Sequence, residues 1–221
     1  MNIVYGVLAG AACLLFNSLA YAELPRGAYV GLGAGTVHST IASKANRVVG
    51  YAPPSEREKS DVTTKLYTGY SWGAWGVEAG YHDLGAYKLT GDWYVLNSSG
   101  VIIGTAPVSD KFSAKALALN AVYFLPAGDA FTLFGKLGLA SVKTRYECQT
   151  LCGYTNGVTT IANNSTTSLT PVIGLGASWN VAKHFALRGE FETFRGAKFK
   201  YLDAISKANY DSYSLSAEFR F

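Results

Sequence analysis

FALRGEFETF, residues 185–194, decides the fold. Phe185, Leu187, Gly189 and Phe191 alternate with Ala186, Arg188, Glu190 and Glu192, so an extended strand here has one apolar face and one charged face. In a soluble sandwich the apolar row would face a core and the charges would face water. In a membrane-spanning sheet the same row faces lipid, and the charged row has to face an enclosed interior. Residues 114–125 repeat the period: Leu117, Leu119, Ala121, Tyr123 and Leu125 fall on one face, and Ala116, Ala118, Asn120 and Val122 on the other.

Eight segments of period two can be placed along the chain, at 28–37, 62–72, 75–84, 113–125, 131–143, 168–179, 185–194 and 210–221. Their lengths suit a tilted membrane strand, which needs about 9 to 11 residues. The connections alternate in length. Those at 72–75, 126–130 and 180–184 are tight, whereas 38–61, 85–112, 144–167 and 195–209 are long. The reading is therefore all-β: an eight-stranded antiparallel transmembrane up-and-down β-barrel, with short turns and both termini on the periplasmic side and long loops outside. Trp72, Trp75, Tyr123, Trp179 and Phe185 stand beside the short turns, where an aromatic girdle meets the inner interface.

Composition agrees. The chain holds 15 Tyr, 11 Phe, 4 Trp and 24 Gly, and no stretch after residue 22 is long and apolar enough to span a bilayer as a helix. Residues 1–22, MNIVYGVLAGAACLLFNSLAYA, are uncharged and end in Ala20-Tyr21-Ala22, a small-x-small cleavage pattern, so they read as an export signal and residues 23–221 as the barrel domain. The leader lacks Lys and Arg, which places a start codon upstream of Met1 among the open alternatives. All 19 Lys and Arg and all 15 Asp and Glu follow Ala22, and a net charge of +4 does not argue for nucleic acid. An exported chain meets an oxidising compartment, so Cys148 and Cys152 in ECQTLC are expected to form a disulfide; a metal pair or redox dithiol would want a nearby His or C-x-x-C spacing. Neither a metal nor a cofactor is expected.

The stretches GVEAGYHDLG (76–85), FGKLGLA (134–140), LTPVIGLGASWNVAKHFALRGEFE (169–192) and the terminal YSLSAEFRF (213–221) resemble the OmpA-type transmembrane domain, the small eight-stranded barrels of Gram-negative outer membranes. The resemblance implies that Phe221 is the residue by which the outer-membrane assembly machinery knows its client. It also implies a central lumenal salt bridge between Glu78 and Arg188, discussed in that family as a gate. The family's second lysine–glutamate pair is not kept, since Ser178 stands where the glutamate would be and Asn120 or Val122 near the lysine. No peptidoglycan-binding domain follows the last strand, so a tether to the cell wall is not expected.

On the inward parity, Lys65, Glu78, Lys136, Arg188, Glu190, Glu192, Glu218 and Arg220 point into a barrel that has room only for side chains, and a balanced charge network can be held there by mutual pairing. This predicts a plugged structural barrel whose loops meet outer-membrane lipids, lipopolysaccharide, or a host, phage or other surface ligand. The alternative is a narrow channel gated by Glu78 and Arg188. A rim enzyme is a third class: His38 beside Ser39, or His82 beside Asp83, would have to supply its base, but no signature of a barrel enzyme accompanies them and no catalytic residue is assigned. His82 is expected at the outer rim, facing water or lipid headgroups. The loops carry Lys44, Arg47, Arg57, Lys59, Arg195, Lys198, Lys200 and Lys207 against fewer acids, a basic excess that suits lipid phosphates.

Overall fold

The computed structural model describes residues 24–42, 56–57, 60–96, 99, 101–148, 154–155, 158–159, 163–201 and 204–221. The leader and Cys152 lie outside the described residues, so neither the cleavage after Ala22 nor the Cys148–Cys152 bridge is placed. Eight long strands build the fold: β1 (Arg26–Ala42), β2 (Ser60–Trp72), β3 (Trp75–Leu96), β4 (Ile102–Pro126), β5 (Phe131–Cys148), β6 (Asn163–Ala182), β7 (Phe185–Tyr201) and β8 (Ala204–Arg220). Each pairs antiparallel with the next, and β8 returns to β1 with Tyr29 opposite Arg220, which closes the sheet. Closure removes the sheet edges, so backbone groups are paired within the wall, as a lipid environment requires. The seam is completed by Phe221, whose N–H donates to the Ala28 carbonyl at 3.1 Å. Among the described residues no helix is long and apolar enough to cross a membrane.

Alternation makes the barrel an inverted protein. Leu187 is 41 % exposed on the outer wall, whereas the adjacent Arg188 is 1 % exposed in the interior. The outer surface is a continuous band of Leu, Val, Tyr and Trp. At its lower edge Trp72, Trp75, Tyr123, Trp179 and Phe185 all face outward, with Trp75 edge-on to Tyr123 at 4.9 Å and Trp179 stacked on Phe131 at 6.2 Å. Two of the three tight turns below rest on glycine: Gly73 (φ 105°) and Gly128 (φ 94°) take a left-handed backbone that a side chain would strain.

Two of the expected long loops are instead mostly sheet. β3 runs to Leu96 and β4 starts at Ile102, so 85–112 is largely a hairpin; β7 runs to Tyr201 and β8 starts at Ala204, so 195–209 is another. The reason the period hides this is a bulge in each. Gly85 (φ 71°) and Gly196 (φ 80°) sit in register shifts between Asp83 and Ala86 and between Phe194 and Ala197. An extra residue inverts the inward–outward parity, and an alternating reading stops there. Past the rung of Thr90 opposite Ser109, the β3–β4 ribbon has no further partner strand among the described residues and continues to Leu96 opposite Ile102. Val101, Ile102 and Ile103 at its tip are exposed.

Candidate functional site

The lumen is assembled from small residues opposite large ones. Across β1 and β2, Tyr29 lies opposite Gly69 and Gly31 opposite Tyr67. A Cβ on Gly31 would stand 2.2 Å from the Tyr67 ring, and one on Gly69 would stand 2.3 Å from the Tyr29 ring. The charged positions follow the same logic: Glu218 is opposite Gly31, Lys65 opposite Gly33, Glu78 opposite Gly69, and Lys136 opposite Gly174. Each long polar side chain gains room because its cross-strand neighbour has no side chain.

The expected charges converge. Lys136 Nζ reaches Glu78 Oε1 at 2.8 Å and Glu192 Oε1 at 2.7 Å, and also contacts Glu190. Lys65 pairs with Glu190 and reaches Glu192 at 3.1 Å. Arg188 reaches Glu78 at 2.8 Å, Glu218 at 3.2 Å and Glu190 at 3.3 Å. Its guanidinium also lies 3.9 Å from the Phe134 ring centre and 4.8 Å from that of Tyr67. Tyr29 donates to Glu78 at 3.2 Å and Tyr67 to Glu218 at 3.1 Å. Isolated charges would be costly in such a space; here every carboxylate has a cation, and hydrogen bonds satisfy further lone pairs. Arg220 is the least buried of the eight and sits toward the end that carries the tight turns, donating to Glu218 at 2.7 Å, Asn180 at 2.7 Å and Ser178 at 3.0 Å. With Ser178 where the family's glutamate would stand, both lumenal lysines are still paired, because β7 supplies Glu190 and Glu192 to Lys65 and Lys136.

Apolar layers lie on both sides of this network. Tyr29, Tyr67, Val122, Phe124 and Phe134, with Leu24, fill the end that carries the tight turns. Val37, Leu84, Val142, Val172, Phe194 and Tyr210, among others, fill the opposite end, toward the long hairpins.

The expectation for His82 is corrected. It is a lumenal residue, 2 % exposed, with Nδ1 3.6 Å from Glu192 and its ring edge-on to Phe194 at 5.3 Å. Asp83 points the other way, accepting from the Gly85 N–H at 3.1 Å and standing 3.7 Å from Lys115, so His82 and Asp83 do not form a dyad. The signal was present: His82 shares the parity of Glu78, four residues earlier. His38 is exposed on β1, and His184 in its turn meets the Arg220 carbonyl at 2.8 Å. Tyr29 and Tyr67 were also missed, although each sits on the inward parity beside an inward glycine. Cys148 ends β5, and Phe221 lies outside the wall against Phe219, ring centres 5.0 Å apart.

No curated protein matches the chain significantly. The model of the OmpA-like transmembrane domain matches residues 26–221. Among solved structures, the barrel is similar to Neisserial surface protein A (TM-score 0.55, 13 % identity, 88 % of this chain and 97 % of that one) and to the outer membrane protein OprG from Pseudomonas aeruginosa (TM-score 0.55, 14 % identity, 90 % and 98 %). It is also similar to the outer membrane protease OmpT from Escherichia coli (TM-score 0.51, 9 % identity, 91 % and 99 %). At these identities the likeness is one of fold. With a family match across the whole described barrel, the chain belongs to the OmpA-like transmembrane domain family and is an eight-stranded outer-membrane β-barrel.

Proposed function

We propose that this barrel is a closed anchor, exported by the leader at 1–22, that holds a surface-interaction apparatus in the outer membrane and does not conduct. The observation that carries this reading is the layered lumen, with a connected charge network between two apolar plugs. A permeant ion would have to break all three layers. The gate alternative asks Glu78 to exchange Arg188 for another cation. Lys136 already occupies its other oxygen, and Arg188 keeps Glu190 and Glu218, so the exchange opens no path. With His82 inside the lumen and Asp83 outside it, the reading includes no catalytic step.

What faces the surroundings is the outer ends of the hairpins, above all the β3–β4 ribbon with its exposed apolar tip, a surface that suits a macromolecular ligand of a host, a phage or another cell. The wall meets outer-membrane lipids and lipopolysaccharide, and Phe221 at the seam is offered to the assembly machinery.

Three experiments test this. In planar bilayers the purified protein and its Arg188→Ala variant should both stay at background conductance; stepwise openings that grow in the variant would establish the channel instead. In intact cells, Ser99→Cys in a Cys148→Ser/Cys152→Ser background should be labelled by a membrane-impermeant maleimide. Deleting Phe221 should lower outer-membrane incorporation, and normal levels after that deletion would remove its assembly role.

A further inference from the structure

The lipid-facing wall is uneven. Between the large outward residues Leu117, Leu119 and Leu139 stand Thr68, Ala79 and Ser141, and the shortfall leaves an apolar depression of about 770 Å³ across β1 to β6. Its outer edge is one rung of the sheet, Tyr81–Leu117–Ser141–Leu169. The next outward-facing rung, about 7 Å farther from the periplasm, reads Asp83–Lys115–Lys143–Thr167. Lys115 and Lys143 are directly opposite each other and both exposed. Like charges so placed repel unless an anion lies between them. Lys115 has Asp83 at 3.7 Å, and among the described residues Lys143 has no acidic partner. One rung higher, Arg145 is engaged by Glu147 at 3.2 Å, and beside these cations β6 presents Thr167 and Ser165, whose exposed hydroxyls can meet sugar hydroxyls.

We propose that this face binds one phosphorylated glycolipid of the outer leaflet, the lipid A class, with a phosphate on Lys115 and Lys143 and an acyl chain along the depression below. The two halves are independent observations, a groove shaped for a chain and a cation pair one rung above it, and one amphiphile satisfies both. The inference rests on the reading that the long connections face outward, because that orientation sets the lysine rung at the outer-leaflet headgroups.

The test uses the full barrel purified in detergent, with retained lipid counted by native mass spectrometry. Titrants are diphosphoryl lipid A, phosphatidylglycerol and inorganic phosphate. Lipid A should bind in a one-to-one complex, and Lys115→Gln with Lys143→Gln should weaken it by roughly an order of magnitude or more. Filling the groove by Ala79→Leu with Ser141→Leu, outward positions that leave the lumen untouched, should weaken it without altering the headgroup preference. Unchanged binding in both variants overturns the site. Displacement of lipid A by inorganic phosphate alone would reduce it to an anion site without a chain, and preference for phosphatidylglycerol would remove the outer-leaflet assignment. Maleimide labelling at Ser99→Cys reports orientation separately: labelled cells with no lipid A complex reject this site and leave the surface reading standing, whereas unlabelled cells reject both.

Discussion

On β4, Asn120 is 1 % exposed in the lumen and Leu119, the residue before it, is 65 % exposed on the outer wall; Arg188 and Leu187 repeat the contrast on β7. Inside, Arg188 is held by Glu78, Glu190 and Glu218 at 2.8 to 3.3 Å. Each outward residue meets lipid tails that rearrange around any apolar side chain. The lumen therefore behaves like the core of a polar protein, where a change is felt through its neighbours, and the wall like a solvent-exposed surface whose solvent is hydrocarbon, where only polarity and depth count.

The largest test of this contrast is to remove a lumenal cation. Arg188→Ala leaves Glu78, Glu190 and Glu218 short of a partner, at a cost of about 3 to 5 kcal/mol for a fully buried pair, read in urea titrations from lipid vesicles. In a double-mutant cycle with Glu78→Ala the effects should not add, with a coupling of about 0.5 to 3 kcal/mol. Additivity would mean that these residues do not share a network, and the inward parity would have to be abandoned.

On the wall, Leu119→Lys, near the middle of its strand, should cost about 2 to 4 kcal/mol, whereas Tyr123→Lys, close to a tight turn, should cost about 0 to 1. Equal losses at the two positions would show that depth does not grade this surface. The two effects should also add, in contrast to the lumenal pair.

A packing test falls below these. Gly31→Ala drives a methyl into the Tyr67 ring and should destabilise by about 1 to 3 kcal/mol, and Tyr67→Leu should recover part of the loss. Absence of rescue would mean that Gly31 is required for its backbone and not for the room it leaves.

The smallest effect belongs to Cys148 and Cys152. Their replacement by Ser should move barrel stability by no more than about 2 kcal/mol, the chain-entropy value for a bridge that closes so few residues. Thiol labelling of both residues in intact cells without reductant would show that the bridge does not form.

How much was legible follows from range. The strand cores, the tight turns and the direction of each charged side chain come from period two, which is local. Where Gly85 and Gly196 insert a residue, the period breaks, and the hairpin ends beyond them read as loops. His82 could have been placed by counting from Glu78, but its neighbour Asp83 drew it toward a rim site that the pleat forbids.

By itself, the sequence determined that this chain is a barrel with a charged interior, because alternation is written residue by residue and eight such segments can hide their polar row only by closing. Beyond the Glu78–Arg188 pair that the family resemblance implied, tertiary structure alone decided which charge meets which. Lys65 and Glu190 are 125 residues apart, and Lys136 reaches Glu78, Glu190 and Glu192 on two different strands. Those meetings depend on the stagger between strands around the closed sheet, a property of the ring as a whole that no single segment contains.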